Sequence, residues 1–171
     1  MTNEPTPGPV GLPELVRLAE PVIAAAVRSG RSVATAESLT GGLLGAALTG
    51  VSGASAVYRG GLITYATDLK ASLGGVDAEE LARHGAVSAQ TARGMAAGAA
   101  ARCGADIGIA LTGVAGPDPQ EGHPAGTVFC GWYAAAGAEH RELRLAGDRA
   151  EIRYAAAAAA LGVLTELLDS E

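Results

Sequence analysis

The sequence predicts an α/β protein: one three-layer α/β/α domain around a mixed, mostly parallel central sheet. Three observations carry that reading. Segments with strand character alternate with segments of helical periodicity along the 171 residues. Apolar residues make up 49% of the chain but aromatic ones only 4%, so the core must be built from Ala, Val, Leu and Ile, which lets helices lie close on a sheet. Finally, the last two strands are separated only by "GAE" at 137–139, a connection short enough to join antiparallel neighbours alone.

Residues 1–11, with three prolines and two glycines, are expected to form a loose arm, leaving 12–171 as the domain. Pro13 opens "PELVRLAEPVIAAAVRSG", whose apolar spacing is helical and which stops at Gly30; Pro21 is expected to kink this helix or restart it. "RSVATA" (31–36) fits a buried strand and "TGGLLGAALTG" (40–50) a helix that follows at once. "VYRGGLITYA" (57–66) reads as a strand whose glycine pair suggests a bulge. Helices follow in "DAEELARHG" and "SAQTARGMAAGAAARCG", the second with Ser88 as N-cap. "ADIGIALTG" (105–113) is a buried strand, 114–126 a glycine- and proline-containing loop, "TVFCGWYAAA" (127–136) a strand and "HRELRLAG" (140–147) another; "DRAEIRYAAAAAALGVLTELL" (148–168) closes the chain as a long helix.

Composition narrows the function. A net charge of −6 without a basic cluster argues against direct nucleic-acid binding. The chain shows neither an apolar run of membrane-spanning length nor an export signal, so a soluble, cytoplasmic protein is expected, with no membrane partner. Cys103 and Cys130 have no metal-ligand spacing and read as small buried hydrophobes. No G-x-G-x-x-G follows a strand and no G-K-[ST] follows a glycine loop, which disfavours dinucleotide and ATP sites. "DPQEGH" (118–123) offers one Asp, one Glu and one His in a loop, a weak basis for a metal; neither metal nor cofactor is expected.

In open α/β sheets the ligand site lies beyond the carboxyl ends of the strands, and three segments end a strand in small polar residues: "AESLTGG", "TYATDLK" and "LTGVAGP". Ser38 in the first is either a helix cap or a nucleophile. Eleven of the twelve basic residues are arginine, and Lys70, in the second, is the sole lysine. An ammonium can lose its proton in a suitable pocket and serve as a base, whereas a guanidinium stays charged. No G-x-S-x-G elbow occurs, and the three histidines sit beside no Ser–Asp pair, so a serine activated by a lysine is the nucleophile system that remains.

"AESLTGG", "YRGGLITYATDLK", "GAVSAQTARGMAAG", "ADIGIALTGVAGP" and "PAGTVFCGW", in this order, resemble the C-terminal domain family of the competence/damage-inducible protein CinA over about Leu15 to Leu168. The resemblance implies deamidation of nicotinamide mononucleotide to nicotinic acid mononucleotide and ammonia. It places the family's catalytic serine, lysine and tyrosine on Ser38, Lys70 and Tyr65, its glycine loop on Thr112, Gly113, Ala115, Gly116 and Pro117, and its late arginine on Arg149 in "AGDR". Thr40, Gly41 and Gly42 join the substrate-binding set; the amides near Gly41 and Gly42 are candidates for holding an oxyanion and the Thr112–Gly116 loop with Arg149 for the phosphate, the sequence leaving open which glycine loop takes which. Leu39, Thr67 and Pro119 stand where the family more often has Cys, Asn and Gly. The expected partner is a small-molecule pyridine nucleotide, and a homo-oligomer is expected. The alternative is a catalytically silent nucleotide- or partner-binding module linked to competence and DNA damage.

Overall fold

The computed structural model describes residues 11–170; of the expected N-terminal arm only Gly11 is among them, and the rest lies outside the described residues. In chain order the elements are α1 (Leu12–Ser29), β1 (Val33–Glu37), α2 (Leu43–Thr49), a single 3-10 turn (Ala54–Ala56), β2 (Tyr58–Ile63), α3 (Thr67–Ser72), α4 (Ala78–His84), α5 (Ala89–Cys103), β3 (Ile107–Gly113), β4 (Thr127–Ala134), β5 (Gly137–Arg144) and α6 (Arg149–Asp169).

The five strands form one sheet in the order β2-β1-β3-β4-β5. β1 pairs parallel with both β2 and β3, while β4 is antiparallel to β3 and to β5, so four strands run one way and β4 alone is reversed. Helices α1, α2 and α6 cover one face, packing on Val33, Ile107, Leu111, Val128 and Cys130. Helix α5 lies on the other face against Ala34, Ala36 and Ala110, with α4 beside it. The three-layer α/β/α architecture with a mixed sheet is thus the one expected. No helix among the described residues is long and apolar enough to cross a membrane.

Some local expectations hold and others change. The restart allowed for at Pro21 does not occur: α1 runs from Leu12 to Ser29 with Pro21 inside it. Pro21 sits on the exposed face, where water can satisfy the carbonyl its missing N–H would have bonded. The α6 capping box, with Asp148 accepting from Glu151 N and Glu151 closing back on Asp148 N, puts the start of that helix where the sequence placed it. Strand β5 begins at Gly137, so the turn is Ala135–Ala136 and "GAE" belongs to the strand. The bulge expected in β2 is present: the register slips by one residue at Arg59, between the Val33–Tyr58 and Ala34–Gly60 pairs. Cys130 is fully buried, which pushes its thiol up to about 12, whereas Cys103 is only half-buried; both are free. Helix α3, over "TDLKAS", has no counterpart among the helices expected from the sequence. Six residues carry too little periodicity to register, and α3 buries only Lys70.

Topology fixes where a ligand can sit. From β1 the chain passes through α2 to β2 on one side, then through α3, α4 and α5 on the opposite face to β3 on the other side of β1. The loop leaving the carboxyl end of β1 therefore leads to α2 on one face and that of the neighbouring β2 to α3 on the other, while β3 continues through its loop into β4, and a crevice opens among these strand ends.

Candidate active site

Ser38 is the first residue beyond β1, 8% exposed, with its amide donating to Leu111 O at 2.9 Å, which ties it to the end of β3. It caps no helix. Helix α2 begins only after Gly42, and its free amides are met by the buried carboxylate of Glu37, which accepts from the amides of Gly42, Leu44 and Gly45 at 3.2, 2.9 and 3.0 Å. The sequence reading gave Glu37 no role. The available signal was an acidic residue just before a helix start, where the N-terminal amides favour an anion. The tight turn between Ser38 and α2 needs left-handed backbone at Gly41 (φ 59) and Gly42 (φ 104), which accounts for the glycine pair.

Lys70 lies on α3, 2% exposed, and points back at the end of β1. Its Nζ donates to Ser38 Oγ at 3.0 Å and to Thr64 O at 2.7 Å, with Tyr65 O at 3.5 Å. Burial lowers its pKa to about 8, and the field of Glu121 opposes that shift in part. Thirty-two residues apart in sequence, Ser38 and Lys70 are thus joined by a buried hydrogen bond. Glu121 belongs to the segment read as a weak metal candidate; its two carboxylate oxygens are taken by the amides of Ala86 and Val87, at 3.0 and 2.9 Å.

A cleft of about 550 Å3 opens over this pair, lined on one side by Ser38, Leu39, Tyr65, Thr67 and Lys70, and on the other by the loop running from Thr112 through Gly116 to Gln120. Arg149, at the start of α6, spans its mouth: its guanidinium donates to Gly116 O at 2.7 Å and to Tyr65 Oη at 3.1 Å. Tyr65 is 60% exposed and its hydroxyl faces Arg149, at the rim of the cleft. Thr112 is buried, its hydroxyl donating to Ala86 O at 2.6 Å, so it shapes the wall by joining β3 to the segment before α5.

Ser38, Lys70, Tyr65, Thr112, Gly113, Ala115, Gly116 and Arg149 therefore meet around one cleft, as expected. Thr40, Gly41 and Gly42 do not line it. Thr40 is fully buried, Gly41 N donates to Ser38 O at 3.1 Å, and Gly42 N is bound to Glu37. The expectation that the amides of Gly41 and Gly42 hold an oxyanion is thereby corrected: both are consumed in building the turn.

The family model of the CinA C-terminal domain matches residues 15–168 of this chain. The chain belongs to the CinA C-terminal domain family. Within that family it is 50% identical over 147 residues to a CinA-like protein of Frankia casuarinae, covering 86% of this chain and 34% of the relative. It is 41% identical over 162 residues to a putative competence-damage inducible protein of Streptococcus pneumoniae, covering 94% and 39%. The chain thus spans about a third of the length of the curated relatives it matches. Among solved CinA structures, a superfamily protein from Klebsiella pneumoniae superposes with a TM-score of 0.88 at 37% identity, covering 92% of this chain and 99% of that one. The competence/damage inducible protein CihA from Agrobacterium tumefaciens superposes at 0.85 and 40% identity, covering 97% and 99%.

Proposed function

We propose that this CinA domain is an amidohydrolase that deamidates nicotinamide mononucleotide to nicotinic acid mononucleotide and ammonia through a Ser–Lys pair. The observation that carries the reading is the 3.0 Å hydrogen bond between Ser38 Oγ and a buried Lys70 Nζ, at the base of a cleft large enough for a nucleotide. Among the described residues no carboxylate is bonded to Lys70; it is held by carbonyl oxygens and the serine, which leaves a neutral amine accessible near physiological pH.

In this scheme neutral Lys70 takes the Ser38 proton as Oγ attacks the carboxamide carbon. The C–N bond then breaks, Lys70 returns the proton to the departing ammonia, and water hydrolyses the acyl-serine with Lys70 again as base. The cationic pyridinium next to the carboxamide withdraws electrons and makes the carbonyl more electrophilic than that of an ordinary amide. At the mouth, Arg149 and the Ala115–Gly116 backbone suit the substrate's phosphate, and Tyr65 stands beside them with a hydroxyl able to relay a proton.

The test is ammonia release from a panel of pyridine nucleotides by the parent protein and by Ser38→Ala. Nicotinamide mononucleotide should be the preferred substrate, and Ser38→Ala, folded as the parent is, should lose activity on the order of a million-fold. Release of no ammonia from any member of the panel would leave the silent binding module as the better reading.

A further inference from the structure

Arg153, one turn into α6, takes no part in the scheme above, yet it reaches the nucleophile turn. Its Nε donates to Leu39 O at 2.9 Å and its Nη2 to Thr40 O at 3.2 Å. The same turn is tied at its other end by Gly41 N donating to Ser38 O, and Ser38 N is bound to Leu111 O. Among the amides of residues 38 to 42, those of Ser38, Gly41 and Gly42 are therefore engaged, whereas those of Leu39 and Thr40 donate to no protein acceptor among the described residues. Leu39 lines the cleft beside Ser38 and Thr40 does not. Because a trans peptide is planar, the Ser38–Leu39 unit, with its carbonyl turned to Gly41, must direct its N–H the opposite way. An amide on the residue after a nucleophilic serine is well placed to meet the oxyanion of an acyl-transfer intermediate.

From this we infer that Arg153 is a positioning residue for acyl transfer: its two-pronged hold on the Leu39 and Thr40 carbonyls fixes the turn so that the Leu39 N–H stabilises the oxyanion. The role rests on the amidohydrolase reading above. A charged donor on these carbonyls also polarises the two peptides that follow this amide and stiffens the turn. The side chain is not itself part of the cleft lining, which it meets only through the Leu39 carbonyl, and it makes no hydrogen bond to Lys70. Its loss should therefore act on the chemical step and not on ground-state binding or on the base.

The experiment compares Arg153→Ala and Arg153→Lys with the parent in ammonia release from nicotinamide mononucleotide, in the pH profile, and in the rate at which a fluorophosphonate labels Ser38, read by mass spectrometry. Arg153→Ala should lower kcat on the order of 100-fold, the cost of a small misplacement at the reacting centre. KM should stay within about threefold, as expected for an interaction made mainly in the transition state. The labelling rate should fall in parallel, and the pH inflection should not move. Arg153→Lys, with one prong in place of two, should be intermediate, and it carries the test by itself should the alanine variant fail to fold. A folded alanine or lysine variant with parental kcat and labelling rate, a loss residing in KM alone, or a shifted inflection would overturn the role. If the parent releases no ammonia, the functional reading falls, while the labelling rates still decide whether Arg153 positions the serine.

Discussion

Lys70 and Ser38 meet because the chain discards the usual arrangement at both positions. The serine is relieved of capping duty by its neighbour Glu37, and the lysine is buried with no counter-ion bonded to it among the described residues. The lone lysine of an arginine-dominated chain is thus the side chain that reaches Ser38 Oγ. If Lys70 were merely a charge, Lys70→Arg would be mild. As the base, it should cost about a hundred- to ten-thousand-fold in turnover with the fold intact by circular dichroism, since a guanidinium keeps its proton at working pH. The pH dependence has a definite sign. In the proposed scheme the reactive form is the deprotonated amine, so kcat/KM should be low in acid, rise through an inflection near 8, and level off above it. A profile flat from pH 6 to 9, or turnover by Lys70→Arg within a few-fold of the parent, would assign the base to another group.

At the scale of elements, the site depends on how closely α5 lies on the sheet. Eleven of its fifteen residues are Ala, Gly, Thr or Cys, and the strands beneath it present glycines: a Cβ on Gly131 of β4 would stand 2.3 Å from Ala92 O, and one on Gly108 of β3 would stand 1.9 Å from Ala96 O. Both obstacles are helix backbone, which cannot rotate away. Gly131→Ala should therefore destabilise by about 3 kcal/mol, the upper part of the usual overpacking range, read as a lower denaturation midpoint. Gly162, on the exposed side of α6 with nothing within 4 Å of a Cβ, is the control. There alanine should be neutral to stabilising, by roughly 0.5–1 kcal/mol, because it lowers the entropy lost on ordering the helix. The bulge at Arg59 belongs to the same scale, since it lies in the edge strand that leads to Thr64 and so to the carbonyl that receives Lys70.

At the scale of the whole molecule, the cleft is assembled from the ends of β1, β3, α3 and α6, elements far apart in sequence that share the sheet and its two helical layers as their support. Activity and global structure should accordingly be lost together. In urea, ammonia release and the fluorescence of Trp132, the only tryptophan, should follow one transition. Loss of activity well before the fluorescence change would mean that α3 or the Thr112–Gln120 loop opens on its own.

Much of this was legible in the chain itself. Alternating strand and helix patterns, an aromatic-poor core and a short final connection determined the layers and the mixed sheet, because burial periodicity and turn length are local properties. The blocks around Ser38, Lys70 and Thr112 marked the strand ends from which a site could be made, because small polar residues after a buried strand are local as well. Three things were decided only in the tertiary structure. Helix α3 exists because Lys70 is buried against the end of β1, and no local periodicity announces it. The amides of Gly41 and Gly42 are spent on Ser38 O and Glu37, although the same glycines could equally have served an oxyanion. Arg153 holds the Leu39 and Thr40 carbonyls across more than a hundred residues of chain. In each case the deciding partner is remote in sequence and brought near only by packing, and sequence spacing does not encode which hydrogen-bonding group a folded chain will set opposite another.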